Sequence, residues 1–272
     1  MTMNLKTRTI SDFGDQWTTY RENPGAYGDK ETLADVFGPL LSLDAVRDAR
    51  VIDIGSGSGR IVNMLLDSGA AHVTAVEPSQ AMSVVKENTA KRSGQVTYLQ
   101  VPGDQLPSGL GADLAVSIGV IHHIPEPKPV IKAMHDALRS GGQILIWLYG
   151  AEGNRLYLMF ALPIRVLTQR MPDKMLWGFS AFLSWFLSAY IAICKAVPFL
   201  PMRNYMKNVV GKWTPEVRKV TIYDQLNPAY AKYYSRKDAI ALLEGEGFTN
   251  VQAYHRHGYS WTVIGTRAEV AG

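Results

Sequence analysis

Two short motifs place glycines and an acid where a ligand can be held. Residues 51–60 read VIDIGSGSGR, an apolar run that ends in three alternating glycines, Gly55, Gly57 and Gly59. Glycines in such a turn adopt positive φ angles and let a ligand approach the backbone closely. About 20 residues later, Glu77 follows a second apolar run, where a carboxylate can accept hydrogen bonds from both ribose hydroxyls. The pattern predicts a site for a ribose-containing ligand.

A third acid and the glycine spacing narrow the choice of ligand. Asp104 follows a third apolar run, in the segment Pro102-Gly103-Asp104. This places its carboxylate at the carboxyl edge of a parallel sheet, where ligands bind in doubly wound folds. The glycine spacing is G-x-G-x-G, whereas G-x-G-x-x-G suits a dinucleotide pyrophosphate at a helix N-terminus. An NAD-dependent oxidoreductase is therefore only the second interpretation.

Alternating strand and helix signals must position these residues. Short β-rich apolar runs predict strands at 50–54, 72–76, 96–101, 113–118, 143–149, 250–256 and 259–267. Helical stretches separate several of the first five runs, which predicts crossover units and a parallel sheet. The last two flank His257-Gly258 and predict an antiparallel hairpin. The expected fold is α/β, a doubly wound, mostly parallel seven-stranded sheet with a C-terminal antiparallel hairpin and a helical insertion.

Local signals also mark helix ends. Ser79 behind Pro78 is the expected N-cap of the second crossover helix, and Gly141-Gly142 is expected to close the helix before the fifth strand. Ser235 with Asp238 resembles a capping box that opens a helix over 236–246.

Taken together, these features resemble the class I S-adenosylmethionine-dependent methyltransferases, whose fold is Rossmann-like. The resemblance covers roughly 45–150 and 235–267 and rests on VIDIGSGSGR, VTAVEPSQAM, PGDQLP, SIGVIHHI and LRSGGQILI. It implies a methyltransferase with S-adenosylmethionine as cofactor. A non-catalytic scaffold on the same fold, which binds the cofactor without turnover, is the other alternative.

The resemblance also implies residue roles in cofactor binding. Asp53 and the glycines would line the methionine portion, Glu77 would bind ribose, and Asp104 would face the adenine amino group. Ser117 and Gly119 would approach the cofactor from below. The full expected set is Asp53, Gly55, Ser56, Gly57, Gly59, Glu77, Pro78, Asp104, Gln105, Ser117, Gly119, Trp17 and Tyr20.

Two segments lie outside the resemblance. Residues 1–44 form an N-terminal helical segment, in which Phe13, Trp17 and Tyr20 recur at helical spacing. This segment either packs on the domain or covers the cofactor site with Trp17, Tyr20 and Tyr27. Residues 151–234 form a hydrophobic, basic helical insertion that separates two parts of the expected core.

The insertion contains an uncharged run, Met175 to Cys194, long enough to span a membrane. A single crossing would, however, put the last two strands on the wrong side, and Ser180, Ser184 and Ser188 give the run a mildly polar face. A lid or dimer helix buried in protein and a helix resting on a membrane surface are therefore the main alternatives. Residues 151–220 carry ten Lys/Arg against three Asp/Glu, which favours an anionic surface.

Candidate residues for methyl transfer follow the later strands. Methyl transfer needs an aligned, desolvated acceptor, and a general base only where the acceptor is a hydroxyl or protonated amine. His122-His123 follows the fourth strand, whose alternation predicts that only one of the pair faces inward, and His123 matches the family's position. The other candidates are Tyr223, Asp224, His255 and His257. For all of them a structural role stays open, and no metal is expected because adjacent histidines diverge.

These features predict a small-molecule or lipid-linked substrate with an apolar part, bound between the insertion and the sheet edge. The basic stretch is interleaved with apolar runs, which argues against nucleic acid. Peripheral membrane contact through 155–200 and a homodimer stay open. The single cysteine and the absence of an apolar run in the first residues predict a cytoplasmic protein.

Overall fold

The computed structural model describes residues 5–23, 25–168, 171–227 and 230–269. The chain divides into two compact units, which are described separately here. The first unit holds residues within 1–22, 28–155 and 230–272, and the second holds residues within 23–27 and 156–229.

One sheet forms the centre of the first unit. Within the described residues its strands are β1 Arg50–Ile54, β2 His72–Val76, β3 Val96–Leu99, β4 Ala112–Ile118, β5 Leu138–Tyr149, β6 Phe248–Arg256 and β7 Ser260–Arg267. Their order is β3-β2-β1-β4-β5-β7-β6, in which β7 is antiparallel to both β5 and β6 and the other pairs are parallel. The predicted doubly wound α/β sheet with a C-terminal hairpin is confirmed.

The α-helices of the described ranges are α1 Leu5–Thr19, α2 Lys30–Phe37, α3 Arg60–Asp67, α4 Met82–Asn88, α5 Lys128–Ala137, α6 Arg155–Thr168, α7 Asp173–Ala196, α8 Arg203–Asn208, α9 Pro215–Leu226 and α10 Arg236–Glu244. Two apolar clusters cover the two faces of the sheet. One is built with α2, α3 and α4, and the other with α5 and α10. Strands buried on both faces explain why their sequences are almost continuously apolar.

The hairpin between β6 and β7 uses the expected turn. His257 and Gly258 both have positive φ angles, 50° and 77°, and the Tyr259 N–H donates to the Arg256 carbonyl at 3.2 Å. Two consecutive left-handed residues match the right-handed twist of the flanking strands. Because β6 is antiparallel to β7 and β7 to β5, β6 runs in the same direction as β5.

Two predicted helix boundaries are wrong. Gly141-Gly142 does not close a helix, because α5 ends at Ala137 and both glycines lie inside β5, where the pairing with β4 shifts register. Ser79 does not cap α4 directly, because α4 begins three residues later at Met82. The Ser79 hydroxyl instead accepts a hydrogen bond from the Ala81 N–H at 3.1 Å, in the turn that precedes α4.

The second unit packs α7 along α9 around a small apolar cluster. Leu176, Tyr223 and Leu226 are its buried members, and the Tyr223 ring meets Trp177 edge to face at 5.7 Å. The Thr214 hydroxyl caps α9 by accepting from the Val217 N–H. This core is much smaller than those of the first unit, so the second unit has few buried contacts to stabilise it.

Removal of the Tyr234 hydroxyl should stabilise the first unit. Its side chain is 1% exposed, and its hydroxyl has no hydrogen-bond partner within the described ranges. A buried, unsatisfied hydroxyl costs about 1–3 kcal/mol, so Tyr234→Phe should raise the free energy of unfolding by about 1 kcal/mol. Tyr98→Phe is the matched control, because it removes a hydroxyl bonded to Thr89 Oγ1 at 2.7 Å and should lower that energy. Urea denaturation measures both, and destabilisation by both variants would contradict the prediction.

Candidate functional site

The glycine turn joins β1 to α3. Gly55, Gly57 and Gly59 have φ angles of 78°, 53° and 77°, a region that favours glycine. A Cβ built on Gly55 would lie 2.4 Å from a Val120 methyl, so no larger residue fits there. The N–H groups of Gly55 and Ser56 both donate to the Val76 carbonyl, at 2.8 and 3.1 Å, which ties the turn to the end of β2.

Glu77 joins the glycine turn to the turn after β2. Its carboxylate is buried and accepts from the Gly57 N–H at 3.0 Å through Oε2. Oε1 accepts from the Ser79 N–H at 3.0 Å and from the Ser79 hydroxyl at 2.5 Å. The residue predicted to bind ribose therefore also fixes the turn on which the cofactor would lie. Pro78, between these two residues, is partly buried.

Asp104 lies in the turn that follows β3. The Cβ of a residue at the neighbouring Gly103 would lie 3.1 Å from Ile54, so this turn abuts the end of β1. The Lys6 ammonium forms an ion pair with Asp104 Oδ2 at 2.6 Å. Oδ1 is buried and accepts no hydrogen bond from the part of the chain that is described. The next residue, Gln105, is exposed.

Asp53 is the most buried acid of this edge. It is 1% exposed at the end of β1, and its Oδ2 accepts no hydrogen bond within the described ranges. Burial raises the pKa of its carboxyl from 3.8 to about 7, against the opposing effects of Ser56 and the Arg60 charge, and the Glu77 charge raises it further. A hydrogen-bond donor or a positive charge placed beside Asp53 would therefore lower the pKa of its carboxyl.

The end of β4 closes the site from the other side. The Ser117 hydroxyl is buried and donates to the Ile54 carbonyl at 3.2 Å, which joins β4 to β1. Gly119 has a φ of 82°, and a Cβ built on it would meet no described atom within 4 Å. Open space therefore faces the backbone at this position, as a bound ligand requires.

Helix α1 lies against this edge of the sheet. A Cβ built on Gly57 would lie 3.0 Å from the Trp17 indole nitrogen, so the indole rests on the glycine turn. Near the helix start, Lys6 reaches Asp104, and midway the Phe13 ring meets His123 at 4.8 Å. Tyr20 follows the helix end and is partly buried. Tyr27 instead packs edge to face on Trp213 in the second unit.

The histidine pair follows β4 in a short 3₁₀ turn, Ile121–His123. The expectation that only one of the two faces inward is wrong, because a 3₁₀ turn does not alternate as a strand does and both are buried, at 0% and 2% exposure. His123 Nδ1 lies 2.8 Å from the Tyr230 carbonyl oxygen. Since a carbonyl only accepts, Nδ1 carries the proton in the neutral ring and Nε2 carries the lone pair.

The remaining catalytic candidates lie elsewhere. Tyr223 is in the apolar core of the second unit, and Asp224 is beside it on α9. His255 stacks on Trp261 at 4.2 Å, and His257 bonds to Asp35 at 2.9 Å. Both histidines end β6 at the same sheet edge as the glycine turn. However, β6 lies four strands from β1, about 19 Å away at about 4.8 Å per strand.

The first unit thus brings most of the predicted cofactor residues to one place. Around the glycine turn it assembles Asp53, Gly55, Ser56, Gly57, Gly59, Glu77, Pro78, Asp104, Ser117, Gly119, Trp17 and His123. Sequence reasoning missed Lys6, whose only signal was its position in the predicted N-terminal helix, and it gave Phe13 helical spacing but no place in the site. It also missed Asp35, which binds the buried Arg256 guanidinium and His257.

The strand order, the glycine turn and the three acids at the carboxyl edge define the class I S-adenosylmethionine-dependent methyltransferase fold. Residues 52–146 match the family described as the methyltransferase domain. The resemblance stated from the sequence is confirmed. S-adenosylmethionine is accordingly the cofactor of the family.

Two curated relatives align with the core. A tRNA U34 carboxymethyltransferase of Shewanella pealeana is 31% identical over 107 residues, which cover 38% of this chain and 32% of the relative. A ubiquinone biosynthesis O-methyltransferase of Idiomarina loihiensis is 28% identical over 106 residues, which cover 37% of this chain and 42% of the relative. The alignments thus span less than half of either relative.

Two solved structures share the fold. Magnesium protoporphyrin IX methyltransferase of Synechocystis, with bound S-adenosylhomocysteine, has a TM-score of 0.56 at 15% identity and covers 97% of this chain and 100% of its own. Human N-acetylserotonin methyltransferase, in complex with S-adenosylmethionine, has a TM-score of 0.54 at 13% identity and covers 95% of this chain and 56% of its own. At these identities the likeness is one of fold.

The comparison with the tRNA enzyme corrects one expectation. The sequence analysis argued against nucleic acid, because the basic stretch is interleaved with apolar residues. A relative that acts on tRNA conflicts with that exclusion, since the two proteins share the methyltransferase core. The relatives of this core therefore include an enzyme named for tRNA and an enzyme named for a small molecule.

The raised pKa of Asp53 predicts a pH-dependent stability without ligand. Between the unfolded pKa of 3.8 and the folded pKa of about 7, the unfolded chain releases a proton that the folded chain keeps. Stability from this site is therefore full below about pH 4 and is lost as pH rises to about 7. Asp53→Asn mimics the protonated form, so it should match wild type near pH 4 and exceed it by up to about 4 kcal/mol at pH 8. Urea denaturation across this pH range measures the difference, and a constant difference would contradict the prediction.

Proposed function

We propose that this chain transfers a methyl group from S-adenosylmethionine to a small or lipid-linked acceptor with an apolar part. The observation that carries the proposal is the convergence of Asp53, Glu77 and Asp104 around one glycine turn. Two of these acids, Asp53 and Asp104, each have a buried oxygen that accepts no hydrogen bond within the described residues. Such oxygens are costly to leave without a partner, and a ligand that donates hydrogen bonds removes that cost.

The residues present fit the cofactor. By family resemblance, Asp104 Oδ1 would accept from the adenine amino group. The Glu77 carboxylate would accept from a ribose hydroxyl at the lone pair that the Gly57 N–H and the Ser79 N–H and hydroxyl leave available. Asp53 would lie beside the methionine portion, together with the glycines. When bound, the cofactor supplies an electrophilic methyl group on a positively charged sulfur.

The acceptor would lie beside His123, among aromatic rings of the first unit. The Tyr149 ring lies 3.8 Å from His122 and stacks on Tyr233 at 5.4 Å, while Phe13 lies against His123. Aromatic walls favour a flat or apolar group over a fully polar one. The name of the ubiquinone relative is consistent with an acceptor of this kind, and that of the tRNA relative gives the competing class.

His123 is the proposed general base for a hydroxyl or protonated amine acceptor. Its Nδ1–H donates to the Tyr230 carbonyl, which orients the ring and leaves the Nε2 lone pair as the basic site. Where the acceptor carries a proton, Nε2 would take it as the acceptor atom bonds to the methyl carbon. The methyl–sulfur bond would break in the same step, with its electron pair left on the sulfur. His255 and His257 of the first unit stay candidates for acceptor contacts, and Tyr223 and Asp224, which lie in the second unit, stay predictions from the sequence.

Glu77→Gln tests cofactor binding. Glutamine keeps the size of the side chain but loses the charge and one acceptor, so affinity for S-adenosylhomocysteine should fall by about tenfold to a hundredfold, or 1.5–3 kcal/mol. Ser79→Ala is the matched control, because it removes the hydrogen bond from the Ser79 hydroxyl to Glu77 and keeps both the carboxylate and the backbone bond, so affinity should change by less than about threefold. Titration calorimetry measures both. Equal affinity in wild type and Glu77→Gln would remove Glu77 from the ribose role, and saturable NADH binding would favour an oxidoreductase.

His123→Ala tests the base. Turnover should fall by about a hundredfold or more with little change in cofactor affinity, because proton transfer by a positioned side chain contributes that much. His72→Ala is the control, since His72 opens β2 at the opposite edge of the sheet. A loss of cofactor affinity and stability together in His123→Ala would instead indicate a structural histidine.

The acceptor for that assay comes from a screen of S-adenosylhomocysteine release. Quinols, phenols, amines, sugar nucleotides, lipid-linked acceptors and tRNA are compared at equal concentration. Turnover with a fully polar acceptor or with tRNA alone would overturn the proposed acceptor class. Cofactor binding without release in any assay would favour the non-catalytic scaffold.

A further inference from the structure

Helix α7 exposes large apolar side chains and buries serines together with Leu176, Ile191 and Cys194. Its serines face the interior of the second unit, with Ser180 at 0% exposure and Ser184 at 4%. Its large apolar side chains face outward, with Trp185 at 67% exposure and Phe182 at 56%. A helix at a water-facing surface normally shows the opposite polarity.

Helix α6 likewise buries polar side chains. Arg165 and Thr168 are buried, and the Thr168 hydroxyl donates to the Leu226 carbonyl at 3.1 Å. The outward side chains are again apolar. The outer face of the two helices consists of Met159, Leu162, Val166, Leu167, Met175, Phe182, Trp185, Phe186 and Ile193, all exposed. We call this set the apolar face; a surface of this composition marks an interaction site.

We infer that the apolar face of α6 and α7 docks on an anionic lipid surface. Lys174 and Lys195, at the two ends of the uncharged run, are exposed, and so is Lys212. Residues 151–220 carry ten Lys/Arg against three Asp/Glu, so the segment that contains the apolar face has a net positive charge. Aromatic and apolar side chains flanked by lysines are what an interfacial helix presents to anionic headgroups.

Two other surroundings of the apolar face, a second copy of the chain and the interior of a bilayer, fit the charges less well. A second copy would bring two strongly basic surfaces together, which opposes association. A membrane-spanning α7 would place its serine face in hydrocarbon together with α9, and the Arg218 guanidinium of α9 donates to Ser188 Oγ at 2.8 Å. An arginine at mid-membrane is costly, so α7 fits the interface better than the bilayer interior.

The inference is independent of the proposed activity, because lipid binding is measured without turnover. The full chain is sedimented with vesicles of phosphatidylcholine alone and of phosphatidylcholine with phosphatidylglycerol, at low and high salt. Binding to the anionic vesicles should be at least about tenfold tighter than to the neutral ones and should weaken with salt.

Variants separate the contribution of the apolar side chains to vesicle binding from that of the lysines. The double variant Phe182→Ser, Trp185→Ser should weaken binding to anionic vesicles by about tenfold or more. Lys174→Glu with Lys195→Glu should do the same, whereas Lys91→Glu, an exposed lysine of the first unit, should have little effect. Circular dichroism and S-adenosylhomocysteine affinity check that each variant folds.

Five results would overturn the inference. The first four are failure to bind either kind of vesicle, salt-insensitive retention by both kinds of vesicle after alkaline washing, a dimer that the Phe182→Ser, Trp185→Ser variant abolishes, and vesicle binding that this variant leaves unchanged. The fifth is competition by tRNA. If tRNA competes with the vesicles and its own binding is insensitive to the aromatic changes, the basic charge serves nucleic acid and the apolar face is not the docking surface.

Discussion

The buried Glu77 carboxylate is the interaction on which the arrangement of the site depends. It accepts hydrogen bonds from the turn after β1, at Gly57, and from the turn after β2, at Ser79. Two loops that parallel pairing alone would leave independent are thereby fixed to each other. The left-handed conformation of the turn is stabilised by two kinds of contact. The N–H groups of Gly55 and Gly57 donate to the Val76 carbonyl and to Glu77, and Val120 fills the space where a side chain at Gly55 would be. The carboxylate proposed to bind ribose thus also holds the glycine turn in place.

The two units differ in which polar and apolar side chains they bury. In the first, apolar strands lie between two helical layers, and the buried polar groups include Asp53, Glu77 and Ser117 of the candidate site. In the second, a small apolar cluster around Leu176, Tyr223 and Leu226 is accompanied by buried serines, a threonine and an arginine, and many large apolar side chains lie outside. A unit with so small a core gains little stability from packing alone, so contact with an apolar phase would contribute to its stability as well as to its location.

Much of the fold and part of the site could be predicted from the sequence, for identifiable reasons. The bounds of β1 and β2, the glycine turn and the His257-Gly258 turn follow from local patterns, in which periodicity and positive φ leave a direct mark. The ion pairs Lys6–Asp104 and Asp35–Arg256 join residues far apart in the chain and leave no such mark. The helix end assigned to Gly141-Gly142 was wrong because a strand with a register shift tolerates glycines that normally end a helix. The orientation of α7 could not be assigned either, since a serine stripe does not tell which face is inside.

Helix α1 has a kinetic consequence. A single rigid element holds Lys6 at Asp104, Phe13 at His123 and Trp17 at Gly57. Moving α1 as a body would uncover the proposed adenine, methionine and acceptor positions in one step. Cofactor and acceptor would then share one gate, so the release of the spent cofactor and that of the methylated product would proceed on the same timescale, set by the opening of α1.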